Sequence, residues 1–391
     1  MSRPAAYGFD DLDLARLRER RSEKWREFPL DVLPAWVAEM DFDAAPPVAA
    51  AVRAALERGG DFGYAVDLRA PALSAAFCGF AERRYGWAVD PERTYLVRDV
   101  MRGVELWIEG FTDPGGAVVT TSPVYYPFGA AVGEARRRLV EVPVCPDAAA
   151  GWVLDLAGLA AAFRAGARLL LLCNPHNPVG RAYTEAELRA VAELADRYGV
   201  RVVADEIHAP LVFPPARHIP FAALDPAVAD RTLTLHSASK AWNLAGLLAA
   251  VAVPGNPADE AWFTGLSYRH RGAAGILGVE ASAAAFTEGE PWLDALLEHL
   301  MLVRGHLGAL LAEHLPGVAW VPPQATYLAW LDCRSLGLGP SPAAAFLERG
   351  RVAVNDGSTF GAGGAGFVRV NFGTSRAVVT EVVRRLAAAL D

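Results

Sequence analysis

From residue 94 to residue 236, short apolar runs alternate with stretches of helical spacing, and no other feature constrains the fold as strongly. The apolar runs are Ala117–Thr121, Arg168–Cys173 and Val200–Ala204, and strand-like segments of mixed composition stand at Thr94–Arg98, Leu139–Val144 and Thr232–His236. Each is too short for an ordinary helix, and helical patterns such as Leu73–Tyr85, Arg102–Phe111 and Thr184–Tyr198 lie between or beside them. Thr184, with Glu187 three residues on, is the pattern of a capping box and marks a helix start. Continuous apolarity, instead of alternation with polar residues, belongs to strands covered on both faces. The pattern predicts an α/β fold: a mostly parallel sheet, of the seven-stranded type, with helices on both sides.

From about Pro291 the texture changes. A long helical segment leads to the run Tyr327–Asp332, then to a helix around Ala343–Arg349. The Gly-rich stretch Gly357–Gly366, the run Phe367–Phe372 and a terminal helix follow. This predicts a smaller α+β domain made of residues 286–391 and completed by residues 1–44, beside a large domain of residues 45–285. A chain of 391 residues is long enough for two such cores.

A formal charge of −8 argues against nucleic acid as a partner, because phosphate backbones are held by clustered Lys and Arg. No run of about 20 uninterrupted apolar residues indicates a membrane span. Residues Met1 to Arg26 are charged and lack the apolar centre of a signal peptide, so residence in the cytoplasm is expected. The four cysteines, Cys78, Cys145, Cys173 and Cys333, are scattered and read as reduced thiols. No metal site is expected. The histidines show no ligand spacing, and all but His208 read as structural. The triplet Gly361-x-Gly363-x-x-Gly366 fits a dinucleotide fingerprint but precedes a strand, so it reads as a loop.

Three motifs carry chemistry, and each directly follows an apolar run. Ser237-Ala238-Ser239-Lys240 places a lysine where burial would lower its proton affinity and favour a nucleophilic amine; a surface loop is the plainer reading. Asp205-Glu206-Ile207-His208 puts a carboxylate at the C-terminal end of a strand, where open α/β sheets bind ligands. Asp205 could keep a heterocyclic nitrogen protonated, or could serve as a cap or structural ion pair. Asn174-Pro175-His176-Asn177-Pro178-Val179-Gly180 is a rigid turn whose Asn amide can face a cleft.

The order of these three motifs resembles fold-type I enzymes dependent on pyridoxal 5′-phosphate (PLP), of the aminotransferase class I/II superfamily. More closely it resembles their cystathionine β-lyase-like (MalY/PatB) group. Further matches are Trp36 to Phe42, Phe62-Gly63-Tyr64, Ser122 to Phe128, Gly289 to Trp292 and Phe367 to Phe372, so the resemblance runs from about residue 30 to 376. It implies that Lys240 carries PLP as a Schiff base and removes the substrate Cα proton, and that Asp205 pairs with the pyridinium nitrogen. Asn177 and His208 match groups near the phenolic oxygen, and Tyr125 matches the ring stacked on the pyridine. Ser237 and the amides of Val100 and Met101 match the phosphate cup. Tyr64 matches a phosphate contact supplied by a neighbouring subunit, which implies a homodimer with sites at the subunit interface. Arg369 matches the arginine that grips the substrate α-carboxylate, and Trp36 is a further candidate for substrate contact.

Two positions depart from related patterns. Leu248 stands eight residues after the lysine, where many aminotransferases carry a phosphate-binding arginine; the lyase group commonly lacks it as well. Asp99 precedes Val100 where the group usually has a small residue, and an acid facing a phosphate would be unfavourable. The implied activity is a carbon–sulfur β-lyase that cleaves cystathionine or another S-substituted L-cysteine to thiol, pyruvate and ammonia. The alternatives are an aminotransferase, or an enzyme of specialised metabolism acting on a bulky S-conjugated cysteine by elimination or decarboxylation-coupled deamination. Trp36, Tyr126, Trp242 and the segment Tyr268–Gly275 are the candidates for reading the substrate side chain.

Overall fold

The structure, a computed structural model, describes residues 4–60, 62–65, 67–147 and 151–390. Strands are numbered along the chain. The first five are β1 (Leu33–Pro34), β2 (Tyr95–Val97), β3 (Ala117–Ser122), β4 (Arg138–Asp147) and β5 (Gly151–Leu154). Next come β6 (Leu169–Cys173), β7 (Arg201–Asp205), β8 (Thr232–His236) and β9 (Ala250–Pro254). The last are β10 (Ala319–Trp320), β11 (Leu328–Asp332), β12 (Val352–Ala353), β13 (Asn355–Asp356) and β14 (Phe367–Asn371).

Eight strands form one sheet in the order β2-β9-β8-β7-β6-β3-β4-β5. The run from β8 through β7, β6 and β3 to β4 is parallel, while β9 and β5 pair antiparallel with their neighbours. The expected seven strands are present, and the hairpin strand β5 extends the edge by one. Every residue of β3, β6 and β8 is buried, and β6, Leu169–Cys173, is apolar throughout.

Local chemistry sets where the crossing helices begin and end. Thr184 and Glu187 exchange the two hydrogen bonds of the capping box, and the helix Glu185–Tyr198 stops at Gly199, whose φ of +63° suits glycine. The helix Val100–Phe111 starts from Asp99, whose side chain accepts from the Arg102 amide. Such starts deliver each chain crossing back to the same sheet edge.

A second, antiparallel sheet has the order β10-β11-β14-β13. The N-terminal segment joins this part of the molecule through the parallel pair β1–β12. The helix Glu290–His314 has the length and apolar composition of a membrane-crossing helix. Here its apolar residues, among them Leu293, Leu296, Leu300, Val303 and Leu307, are buried in the core that also takes Val379, Val382 and Leu386 of the terminal helix. Packing accounts for its composition.

Candidate active site

The carboxyl ends of the parallel strands stand level. Cys173 of β6 pairs in register with Asp205 of β7, and Asp205 pairs with Leu235 of β8. The chain leaves each strand at this edge, so Asn174, Glu206 and Ser237 all emerge along one line. A cleft of about 280 Å³ opens there, and its walls include Tyr125, Asn177, Asp205, His208, Ser237 and Lys240. Motifs separated by whole strand–helix units of the chain thus meet because parallel pairing stacks their strands in order.

Lys240 is half-buried, and its Nζ donates to the carbonyl of Ala38 at 3.0 Å. Burial, then the positive charge of Arg369, lowers its pKa to about 8. An amine so placed is partly neutral near physiological pH. Asp205 is 3% exposed and accepts one hydrogen bond, from the Ile207 amide at 3.1 Å. Burial, reinforced by the neighbouring negative charge of Glu206, raises its pKa to about 7. Among the described residues no cation forms an ion pair with it. His208 is held neutral, its pKa lowered to about 3 by burial and by Lys240 and Arg369; its Nδ1 is buried without a partner. A carboxylate and an imidazole nitrogen that want partners therefore face the same cleft.

Arg369 is 2% exposed on β14 and does not itself wall the cleft. Its guanidinium donates to Asn177 Oδ1 at 3.0 Å, to the Trp36 carbonyl at 3.0 Å and to Asn355 Oδ1 at 2.5 Å, and it lies 4.9 Å from the Phe360 ring centre. Nε has no partner, no carboxylate pairs with it among the described residues, and burial brings its pKa down to about 10. A buried guanidinium held only by neutral groups is an anion site in waiting. Asn177 links it to the cleft.

At the other end of the cleft, Val100 and Met101 open the helix Val100–Phe111, where amides precede the first intrahelical bonds. Ser237 Oγ donates to the Ala249 carbonyl at 2.8 Å and accepts from the Ser239 amide at 3.1 Å. Asp99 is turned onto its own surroundings: one oxygen caps the Arg102 amide at 2.8 Å, and the other pairs with Arg98 Nε at 2.7 Å. Its charge is thereby partly neutralised. Leu248 lines the cleft at 43% exposure, with a left-handed φ of 55°.

Some candidates lie elsewhere. Tyr64 is 81% exposed, touches the Tyr268 ring and does not line the cleft. Trp36 contributes its carbonyl to Arg369, while its indole packs on Phe28. Trp242 is fully buried against Phe80 and Phe286 and bonds the Gly289 carbonyl, so it belongs to the core and reads no substrate. Sequence reasoning passed over Ser239, Cys173, Ile207, Ala245 and Ala249 as cleft walls, although Ser239 stands inside the Ser-x-Ser-Lys motif. It also passed over a buried trio on the far side of the strand ends, Glu206, His218 and His236.

The model of the family described as aminotransferase class I and II matches residues 37–386. A Corynebacterium glutamicum protein named cystathionine beta-lyase is 39% identical over 382 residues, covering 97% of this chain and 99% of its own. Cystathionine beta-lyase PatB of Bacillus subtilis is 35% identical over 364 residues, covering 92% of this chain and 93% of its own. The solved PLP-bound C-S lyase from Staphylococcus hominis is similar with a TM-score of 0.90 at 27% identity, covering 98% of this chain and 99% of that chain.

Proposed function

The chain belongs to the class I and II aminotransferase family, and we propose that within it this protein is a PLP-dependent carbon–sulfur β-lyase acting on cystathionine or another S-substituted L-cysteine. One observation carries the reading. A low-pKa amine, Lys240, and an uncompensated buried carboxylate, Asp205, wall the same cleft.

The residues present fit the cofactor. Among the described residues Asp205 forms no ion pair and His208 Nδ1 no hydrogen bond, as expected of groups that complete their bonding on a bound heterocycle. Lys240, Asp205, Asn177, His208 and Tyr125 would hold its ring, and Ser237 with the Val100 and Met101 amides its phosphate. When bound, PLP supplies an electron sink for negative charge developing at the substrate Cα.

The chain's own groups do the rest. Asp205 would keep the ring nitrogen protonated, a role suited to a carboxylate kept out of water. Arg369 binds the substrate α-carboxylate, aided by the orienting bond to Asn177. Lys240 takes the proton from Cα, and its lowered pKa lets the amine accept and return a proton near neutral pH. Tyr125 stays a neutral phenol, because burial pushes its pKa well up, and covers one side of the cleft. Loss of the thiolate from Cβ leaves 2-aminoacrylate, which one water molecule hydrolyses to pyruvate and ammonia.

The exposed Phe62 and Tyr64 support a homodimer in which Tyr64 serves the cleft of a second copy. The cysteines are all free, which fits the reducing cytoplasm. The test supplies purified protein and PLP with cystathionine and a panel of cysteine thioethers, with and without a 2-oxo acid. Thiol and pyruvate should form without the oxo acid. Turnover that requires the oxo acid would make the protein an aminotransferase instead.

A further inference from the structure

Asp205 is the last residue of β7 and Glu206 directly follows it; Asp205 walls the cleft and Glu206 does not. Glu206 is fully buried. Its Oε2 accepts from His218 Nε2 at 2.9 Å and from His236 Nε2 at 3.0 Å, while its Oε1 accepts from the Phe221 amide at 2.8 Å. Burial would push this carboxyl up, but His218 and His236 hold its pKa down at about 2.

The three side chains have the spacing of metal ligands, within 4.8 Å of one another. Two features speak against a metal. Both Nε2 atoms are already committed to the carboxylate, and neither Nδ1 has the hydrogen-bond acceptor that a metal-bound imidazole normally uses. The trio is better read as a tie.

What it ties is set by the sheet. The ladder between β7 and β8 ends at Asp205 paired with Leu235. One residue later His236 pairs with Val251 of β9, and beyond it come Ser237 and Lys240. At the level where the cleft residues hang, the backbone link between these strand ends is the Glu206 amide bonding the Leu235 carbonyl at 3.0 Å. The Glu206–His236 bond then continues the connection past the end of the ladder. Resting on the function proposed above, we propose that Glu206 is a positioning residue: through His236 it fixes the separation between Asp205 on one strand end and Ser237 and Lys240 on the next. PLP would be held from both strand ends, by Asp205 on one and by Ser237 and Lys240 on the other, so their separation would have to be kept. His218 and Phe221 brace Glu206 from outside the two strands, so among the described partners of its carboxylate His236 is the one that joins β7 to β8.

The test measures equilibrium PLP binding by the apoprotein, the circular dichroism of the bound cofactor, and thermal unfolding. Glu206→Gln keeps the shape and removes the charge. It should weaken PLP binding at least about tenfold and reduce the cofactor's dichroic band while the far-ultraviolet spectrum stays native. Unchanged binding and dichroism in a folded variant would overturn the proposal. If Glu206→Gln does not fold, His236→Gln and His218→Gln decide. The first should weaken PLP binding several-fold more than the second; equal effects, or loss of folding in both, would reduce the trio to a structural support and overturn the positioning role. Stoichiometric zinc in the purified protein would also overturn it. Wild-type protein that takes up no PLP would instead sink the proposed function.

Discussion

Two carboxylates one residue apart make the most instructive contrast in the molecule. Asp205 and Glu206 are both buried, the first at the cleft wall and the second fully, yet burial leaves the first with a pKa of about 7, whereas two histidines hold the second at about 2. The difference is partnership alone. Glu206 takes three hydrogen bonds from groups of the protein, and Asp205 takes one. Arg369 stands with Asp205 in this respect: buried, charged and lacking a counter-ion among the described residues. A fold tolerates such groups where a ligand completes them, and completes them itself where they hold the fold. The two sides of one strand end show both solutions.

The contrast can be broken most forcefully at Asp205. Asp205→Asn should lower kcat by about 10³-fold, because an amide cannot hold the ring nitrogen protonated. The same change should stabilise the apoprotein, and by more as pH rises. The folded-state pKa of Asp205 is raised above its ordinary value of 3.8, so the wild type loses stability between pH about 4 and about 7, where the unfolded chain ionises this group and the folded protein keeps it protonated. Glu206 works with the opposite sign, since its folded pKa is depressed. Its stabilisation is complete above the ordinary 4.5 and is lost as pH falls towards 2. Calorimetry of the apoprotein from pH 5 to pH 8 should therefore show the melting temperature of Asp205→Asn rising relative to wild type. A gap that stays constant would mean that Asp205 already has a partner.

Arg369→Met tests the second uncompensated charge. It should cost about 10²-fold in kcat/KM, equivalent to ~2.7 kcal/mol, carried mainly by KM. Steady-state kinetics on any active thioether separates the two constants; an effect confined to kcat would deny Arg369 the carboxylate. A smaller effect concerns Lys240. Its neutral amine is the form that reacts with an aldehyde, so PLP uptake by the apoprotein should quicken about tenfold per pH unit below pH 8 and level off above it. Arg369→Met should move that midpoint upward, because a cation that disfavours the charged amine is gone. Stopped-flow absorbance at a series of pH values reads both curves. Least of all, Asp99→Asn keeps the helix cap but removes a negative charge from the phosphate end. It should tighten PLP binding by a few-fold. Weaker binding would place the Asp99 charge in a supporting role.

Much of this was legible in the chain because the relevant signals are local. A strand buried on both faces favours apolar residues, so Leu169–Cys173 and Val200–Ala204 announce themselves, and the residues just after each run lie at the sheet edge. Lys240, Asp205 and Asn177 were found that way, and the structure brings all three to one cleft. Partnerships across distance carry no such signal. His218 and His236 lie 12 and 30 residues from Glu206, with nothing in their spacing to join them. Asn355, which bonds Arg369, comes from a strand of two residues. Trp242 misled for a related reason: an aromatic two residues after the lysine looks like a cleft wall, but Phe80 and Phe286 offer it a better place. The hairpin strand β5 is four residues long and left no pattern of its own.

The stretch Trp36–Glu39 shows when the site can come into being. Its carbonyls receive Arg369 at Trp36, Lys240 and the Tyr327 hydroxyl at Ala38, and the Asn371 amide nitrogen at both Val37 and Glu39. The receiving segment is made first by the ribosome, and its last donors, Arg369 and Asn371, are made 332 to 334 residues later. Closing so long a loop is slow compared with forming a helix or a neighbouring strand pair. A nascent chain can therefore complete the sheet well before it owns a working cleft. Substrate binding through Arg369 waits for residues 369–371, and truncation before them removes activity from a chain whose large sheet is already whole.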